Sequence, residues 1–227
     1  VAYALVGSVG AYGTTTPAWG TGSTQTANDL LIAIGWGSSG GTVTTPSGWS
    51  LAVSATSQAT ADSAFIFYTI AAGGDAAPTL TGASSSLLME FSGNATTSPL
   101  DQTATGGNTG NSTSLTLTTG GTDAAAGELV LLVLGAISGK STGAMVIGSQ
   151  NNGLSLTITS TVAAAQVARG TTTGNSVADS VSAYITHSGV GTQAQNGVLA
   201  SFKLSSGVTF TVIPISRGRW FFGSEAA

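Results

Sequence analysis

The chain places its hydrophobic residues in two ways, both compatible with a β-strand and neither showing the 3.6-residue apolar period of an amphipathic helix. In "SLTLT" (114–118) and "LSLTITS" (154–160) every second residue is Leu or Ile with Ser or Thr between, the pattern of a strand with one buried face. In "DLLIAIGW" (29–36), "AFIFYTI" (64–70), "SLLMEF" (86–91) and "ELVLLVLGAI" (128–137) both faces are apolar, as expected of strands in the middle of packed sheets. No segment sustains a 3.6-residue apolar period with charge opposite, so almost no helix is expected. Turn signals such as "TPSG", "AAGGDAAP" and "GGNTGN" separate the runs. Asn152-Gly153 and Asn196-Gly197 fit two-residue hairpin turns, since both residue types tolerate positive φ.

The two halves echo each other. "NDLLIAI" from Asn28 matches "GELVLLV" from Gly127, and "SGWSLAVSAT" from Ser47 matches "NGLSLTITST" from Asn152. "DSAFIFYT" from Asp62 matches "DSVSAYIT" from Asp179, and "SLLMEFS" from Ser86 matches "GVLASFK" from Gly197. The expected fold is an all-β, jelly-roll-like sandwich over 1–205, built from duplicated halves at about 1–107 and 108–205 and joined near "TGGNTGN" (105–111). Residues 206–227 are expected to form a final strand and an aromatic- and arginine-bearing anchoring tail.

Composition excludes several roles. Charged residues are 6% of the chain, against roughly a quarter in an ordinary soluble domain, so hydroxyls and amides must supply surface polarity. Residues 1–139 contain no Lys or Arg and the formal net charge is −4, which argues against a nucleic-acid partner. With Cys at 0, thiol chemistry and disulfides are absent. The most apolar run, Leu129 to Ile137, is half the length of a bilayer-spanning helix and reads as a buried strand, so no membrane insertion is expected.

Chemistry-bearing motifs are few. "GSSGG" (37–41) matches G-x-S-x-G, and Asp179 and His187 follow in the order of a Ser-Asp-His hydrolase. A nucleophile elbow needs a helix behind its serine, whereas the extended "TVTTPSGW" follows Ser39, so no catalytic residue is assigned and the protein is read as a non-enzyme. His187 is the single histidine and no D-x-D-x-D spacing occurs, so neither metal nor cofactor is expected. Asp29 and Glu128 stand at matching positions before strands, which suggests a structural role such as bonding a turn amide. Glu90 alternates with Met89 and Phe91 and is expected to face solvent or another subunit. Among Trp19, Trp36 and Trp49, the loop residue Trp19 is the candidate for stacking on a sugar, while Trp49 aligns with Leu154 and reads as buried.

Scarce cations and bulky aromatics meet in the tail "RGRWFFG" (217–223). Burying three large aromatics gains on the order of 10 kcal/mol gross. Ordering seven residues costs about 1–2 kcal/mol apiece. The tail therefore holds firmly only with further support, from added backbone hydrogen bonds or a symmetric assembly. The tail either folds back to cap the protein's own core or docks on another subunit, and in the second case Arg217, Arg219, Trp220, Phe221 and Phe222 are the candidate assembly contacts.

The strings "TANDLLIAIGW", "TTPSGWSLAVS", "FIFYTIAAGGDAAPTLT" and "LLMEFSGNATTSPLDQTAT" carry a resemblance. They resemble a pattern recurring in bacteriophage virion proteins and related secreted bacterial β-sandwich proteins, where "GDLLVA" precedes "PPSGWT", a strand ending near "Y.IA", and a "YSG…TPLD" turn. The likeness covers about residues 1–205; "MEFSG" replaces a more aromatic version, and the tail from Ser206 has no counterpart. It implies a non-enzymatic structural component of a virus particle, of decoration, head-fibre or tail-fibre type. Its expected partners are further copies of itself and other virion proteins, with a role in host attachment. The alternative is a secreted carbohydrate-binding or adhesive module, with host-surface glycans as partners.

Overall fold

A computed structural model describes residues 2–108, 114–137, 141–162, 165–187, 194–206, 210–214 and 220–224. The strands before residue 99 are β1 (Ala4–Leu5), β2 (Leu30–Gly37), β3 (Ser50–Ala55), β4 (Ser63–Ile70) and β5 (Ser85–Ser92). They form one antiparallel sheet in the order β1-β5-β2-β4-β3. Next come β6 (Leu100–Asn108), β7 (Leu115–Thr122), β8 (Leu129–Ala136), β9 (Ser141–Gln150), β10 (Ser155–Val162), β11 (Ala165–Thr171), β12 (Ala178–His187) and β13 (Gln195–Phe202). Of these, β10-β11-β8-β13-β6 make a second sheet and β7-β12-β9 a third. Finally β14 (Phe210–Pro214) and β15 (Trp220–Ser224) pair with each other. The only helical residues among those described are the single 3-10 turn Ser38–Gly40.

The sheets stack in three layers with the second in the middle, which explains the two kinds of strand. Along β8, Leu129, Leu131 and Val133 pack with Ile32, Ile34 and Phe91 of the first sheet. The alternate residues Val130, Leu132 and Leu134 pack with Leu115, Val181 and Ile185 of the third. A strand buried on both sides must be apolar at every position, whereas β7, in the third sheet, keeps the alternation of one dry and one wet face. The outer face of the first sheet is covered by connecting segments: Val43, Leu80, Ala83, Trp19 and Trp49 close over Phe65, Phe67 and Leu88. Trp36, fully buried, fastens the first two layers by donating its indole N–H to the Leu134 carbonyl (2.9 Å).

The first two sheets share one plan, since β1-β5-β2-β4-β3 and β6-β13-β8-β11-β10 place corresponding strands in corresponding positions. Leu30 faces Phe91 and Ile70 as Leu129 faces Phe202 and Thr171. Even the bulge recurs, between Leu51 and Val53 in β3 and between Ile158 and Ser160 in β10. The counterpart of β4 is therefore β11; "DSVSAYIT", matched to β4 by sequence, belongs to β12 in the third sheet.

Three turn assignments change. Thr105 to Asn108, read as linker, end strand β6, and residues 109–111 lie outside the described residues. Asn152 and Gly153 do adopt positive φ (53° and 65°), but they join β9 to β10 across different sheets and so make a corner, not a hairpin. Asn196 and Gly197 lie within β13. A Cβ at Gly197 would come within 2.6 Å of Leu115 and 2.8 Å of Leu134, so glycine serves close packing in a central strand. Asn196 is fully buried and bonds the Gln58 amide (2.9 Å) and the carbonyls of Gln58 (3.0 Å) and Asp62 (3.3 Å), tying the second sheet to the β3–β4 connection.

Candidate functional site

At one end of the stack, strand termini from two layers gather acidic side chains. Asp101 comes from β6, Asp123 follows β7, Glu128 immediately precedes β8, and Asp179 lies at the start of β12. One carboxylate oxygen each of Asp101, Asp123 and Glu128 lies within 4.8 Å of the others. Asp123, Glu128 and Asp179 are buried. Asp101 accepts the Ala124 amide (2.6 Å) and meets the Lys203 ammonium at 3.5 Å; Glu128 Oε1 accepts the Ala125 amide (3.1 Å). Asp123 Oδ1 accepts the Ser201 hydroxyl (3.1 Å), and Asp179 Oδ1 accepts the Asn152 amide (2.9 Å). Four buried oxygens are left without a donor: Glu128 Oε2, Asp179 Oδ2, Asn152 Oδ1 and Thr172 Oγ1.

The electrostatic cost is visible in the acidities. Burial and then the Asp179 charge push the Asp123 carboxyl up to about 6. Burial and the neighbouring Asp101 raise Glu128 well above the carboxylate range, and burial raises Asp179. Ionised together in a dry site these groups repel, so the cluster needs bound protons or a compensating cation.

Beside this end runs a groove of about 590 Å³ between the first and second sheets. Tyr3, Leu5 and Phe91 line it from the first sheet, and Leu129, Ile158 and Arg169 from the second, with hydroxyls of Ser155, Thr157 and Thr171 at its rim. It occupies the place where the shared plan of the two sheets breaks. At the opposite edge β3 packs on β6 and β13, and Tyr68 lies edge-on to Phe202 with ring centres 5.6 Å apart. The corresponding residues here are Arg169 and Phe91, and the guanidinium sits over the ring at 5.9 Å. Arg169 has a buried Nε without a hydrogen-bond partner, and burial lowers its pKa. Where the other edge has an aromatic at this register, this edge has a cation and stays open as a groove.

The sequence-derived candidates fall in different places. Ser39 is exposed at φ 50°, and its amide donates to Asp62 Oδ1 (3.2 Å), while the Asp62 amide donates to the Ala136 carbonyl at the far end of β8. Asp179 sits with the acidic cluster at the Glu128 end, so the length of β8, about 23 Å, separates the two. The fold does not bring Ser39 and Asp179 together. His187 ends β12, and its side chain lies outside the described residues. Trp19 is half-buried against Phe65, Phe67 and their neighbours, and its indole donates to the Asp75 carbonyl (3.1 Å). Trp49 packs on the same cluster.

Glu90 faces neither solvent nor another subunit. It is fully buried, and its two oxygens accept the amides of Thr24 and Thr26 (2.9 Å each), pinning the N-terminal segment to the first sheet. Burial, with a hydrogen bond and charge from Glu90, pushes Asp29 up to about 6. Glu128, its counterpart, does bond a turn amide, that of Ala125. Arg217 and Arg219 lie outside the described residues. Trp220, Phe221 and Phe222 stand in β15, opposite Pro214, Ile213 and Val212 of β14.

Sequence reading missed both the acidic cluster and the groove. The four carboxylates are scattered from 101 to 179, and only the spatial convergence of strand ends joins them. One signal was available for the groove, an isolated arginine inside "AQVARGT" in a chain nearly free of cations. In comparisons with known proteins, no family model matches the chain, and neither does any curated protein or solved structure.

Proposed function

We propose that the chain is a non-enzymatic structural protein of a virus particle, of decoration or fibre type, joined to further copies and to other particle proteins through its C-terminal segment. The carrying observation is that β14 and β15 pair only with each other; among the described residues no strand of the three larger sheets continues into them. A lone two-stranded ribbon is marginal in water, so this one gains its stability from a surface it docks on. The resemblance of short strings within residues 1–205 to a pattern of virion proteins points to the same reading, as does a composition poor in charge, which suits close packing between copies. Electron microscopy of the purified native material is the test: regular particles, rings or filaments are expected. A uniform population of separate 22.1 kDa globules overturns the proposal.

The groove supports a second reading, a carbohydrate-binding or adhesive module. Tyr3, half-buried at the groove, offers ring surface, Arg169 offers donors, and the hydroxyl rim suits a polar ligand. Glycan-array binding by monomeric protein, lost in Arg169→Ala, would favour it over assembly; loss in Trp19→Ala instead would locate the sugar on the loop tryptophan.

A further inference from the structure

We propose that Asp101, Asp123 and Glu128 form a binding site for a divalent cation of calcium type, clamping the ends of β6, β7 and β8 together. Calcium takes oxygen ligands at about 2.3–2.6 Å, so two oxygens on one ion stand at most about 5 Å apart. The three carboxylates meet that condition, with mutual spacing within 4.8 Å.

A group of acids alone would not identify a ligand; the orphaned oxygens around it do. Asp179 is fully buried, adjoins Asp123, and leaves Oδ2 without a donor. Thr172, also buried, stands beside Asp123 with its hydroxyl outside hydrogen-bond geometry. Every one of these unsatisfied atoms is an oxygen, the donor type that a hard cation prefers and a transition metal seeking nitrogen or sulfur does not. Native structures leave few buried polar atoms unpaired, and a concentration of acceptors in one place calls for protons or a cation between them; a cation is the partner proposed here. Lys203 cannot be that partner for the whole group, because its ammonium contacts Asp101 at the rim while Glu128 and Asp179 lie deeper. Irregular donors drawn from strand ends and a connection favour calcium over magnesium, which demands near-octahedral geometry.

The experiment strips the full chain with a chelator and follows thermal unfolding as calcium is added back, with magnesium in parallel. Calcium at about a hundredfold over its dissociation constant is expected to raise the midpoint by roughly 5–10 °C, with a smaller effect of magnesium. Glu128→Gln and Asp101→Asn should stay folded, stand at or above the parent in chelator because repulsion is relieved, and lose the calcium response. Asp101→Asn, at the rim, keeps the test valid should the deeper variant fail to fold. Midpoints equal in chelator and calcium, together with no calorimetric binding of calcium to the parent, would overturn the proposal. Retention of the full calcium shift in both variants would overturn it as well.

Discussion

The middle position of β8 makes a quantitative claim that a pair of leucines can test. Leu131 and Leu132 are neighbours, both fully buried, but Leu131 faces the first sheet and Leu132 the third. Truncating either to alanine removes three carbons, about 2.4 kcal/mol of transfer free energy at about 0.8 kcal/mol per methylene. The cavity left in a core closed on both sides raises this to about 3–4 kcal/mol. Each substitution should therefore lower the unfolding midpoint by roughly 6–15 °C for a chain of this size. In a sandwich of two layers only one of the pair would be costly, because its neighbour would face water. Urea unfolding of Leu131→Ala and Leu132→Ala, each compared with the parent, measures the difference directly. If Leu132→Ala costs less than about 0.5 kcal/mol, the level of an exposed site, the third sheet does not cover β8 and the three-layer account is wrong.

Three further outcomes are expected. Arg169→Tyr restores on Phe91 the kind of aromatic pair that Tyr68 and Phe202 make at the other edge, and it removes a guanidinium nitrogen with no partner. It should stabilise the fold by about 1 kcal/mol in thermal unfolding, and a loss of that size would instead mean that Arg169 is well satisfied where it is. Asn196→Ala strips four bonds to the β3–β4 connection and should cost about 2–4 kcal/mol by chemical denaturation, with a neutral result refuting its role as a fastener between sheets. In chelator, the stability contributed by Asp29 and Asp123 should be full below about pH 4 and be lost as pH rises through about 6, because both bind their protons more tightly folded than unfolded. A stability that increases from pH 5 to 8 would contradict the raised acidities.

What could be read from the sequence was whatever lies along one strand. Alternation in β7 and continuous apolar residues in β8 reported one and two buried faces, because side-chain direction in a strand is a local property. The matched strings around Leu30 and Leu129, and around Phe91 and Phe202, likewise found strands that occupy equivalent places in their sheets. Partnership between layers was not local. "DSVSAYIT" resembles "DSAFIFYT" residue by residue, yet β11 takes the place beside β8, since any apolar strand of suitable length fits that grammar. Asn196-Gly197 carried the signature of a turn because the composition of a tight turn and that of a strand needing a buried amide and a missing Cβ are the same. The acidic site stayed hidden for a related reason: its members are brought together by strand ends converging from two layers, and no spacing along the chain encodes that.

Sedimentation of the full chain beside a version lacking residues 217–227 addresses the assembly role most directly. The full chain should sediment as an oligomer that grows with concentration, and the shortened chain as a folded monomer with the same cooperative unfolding. A full chain that stays monomeric at every concentration, or a shortened one that cannot fold, would contradict the claim that the segment beginning with "RGRWFFG" exists to join this protein to its neighbours.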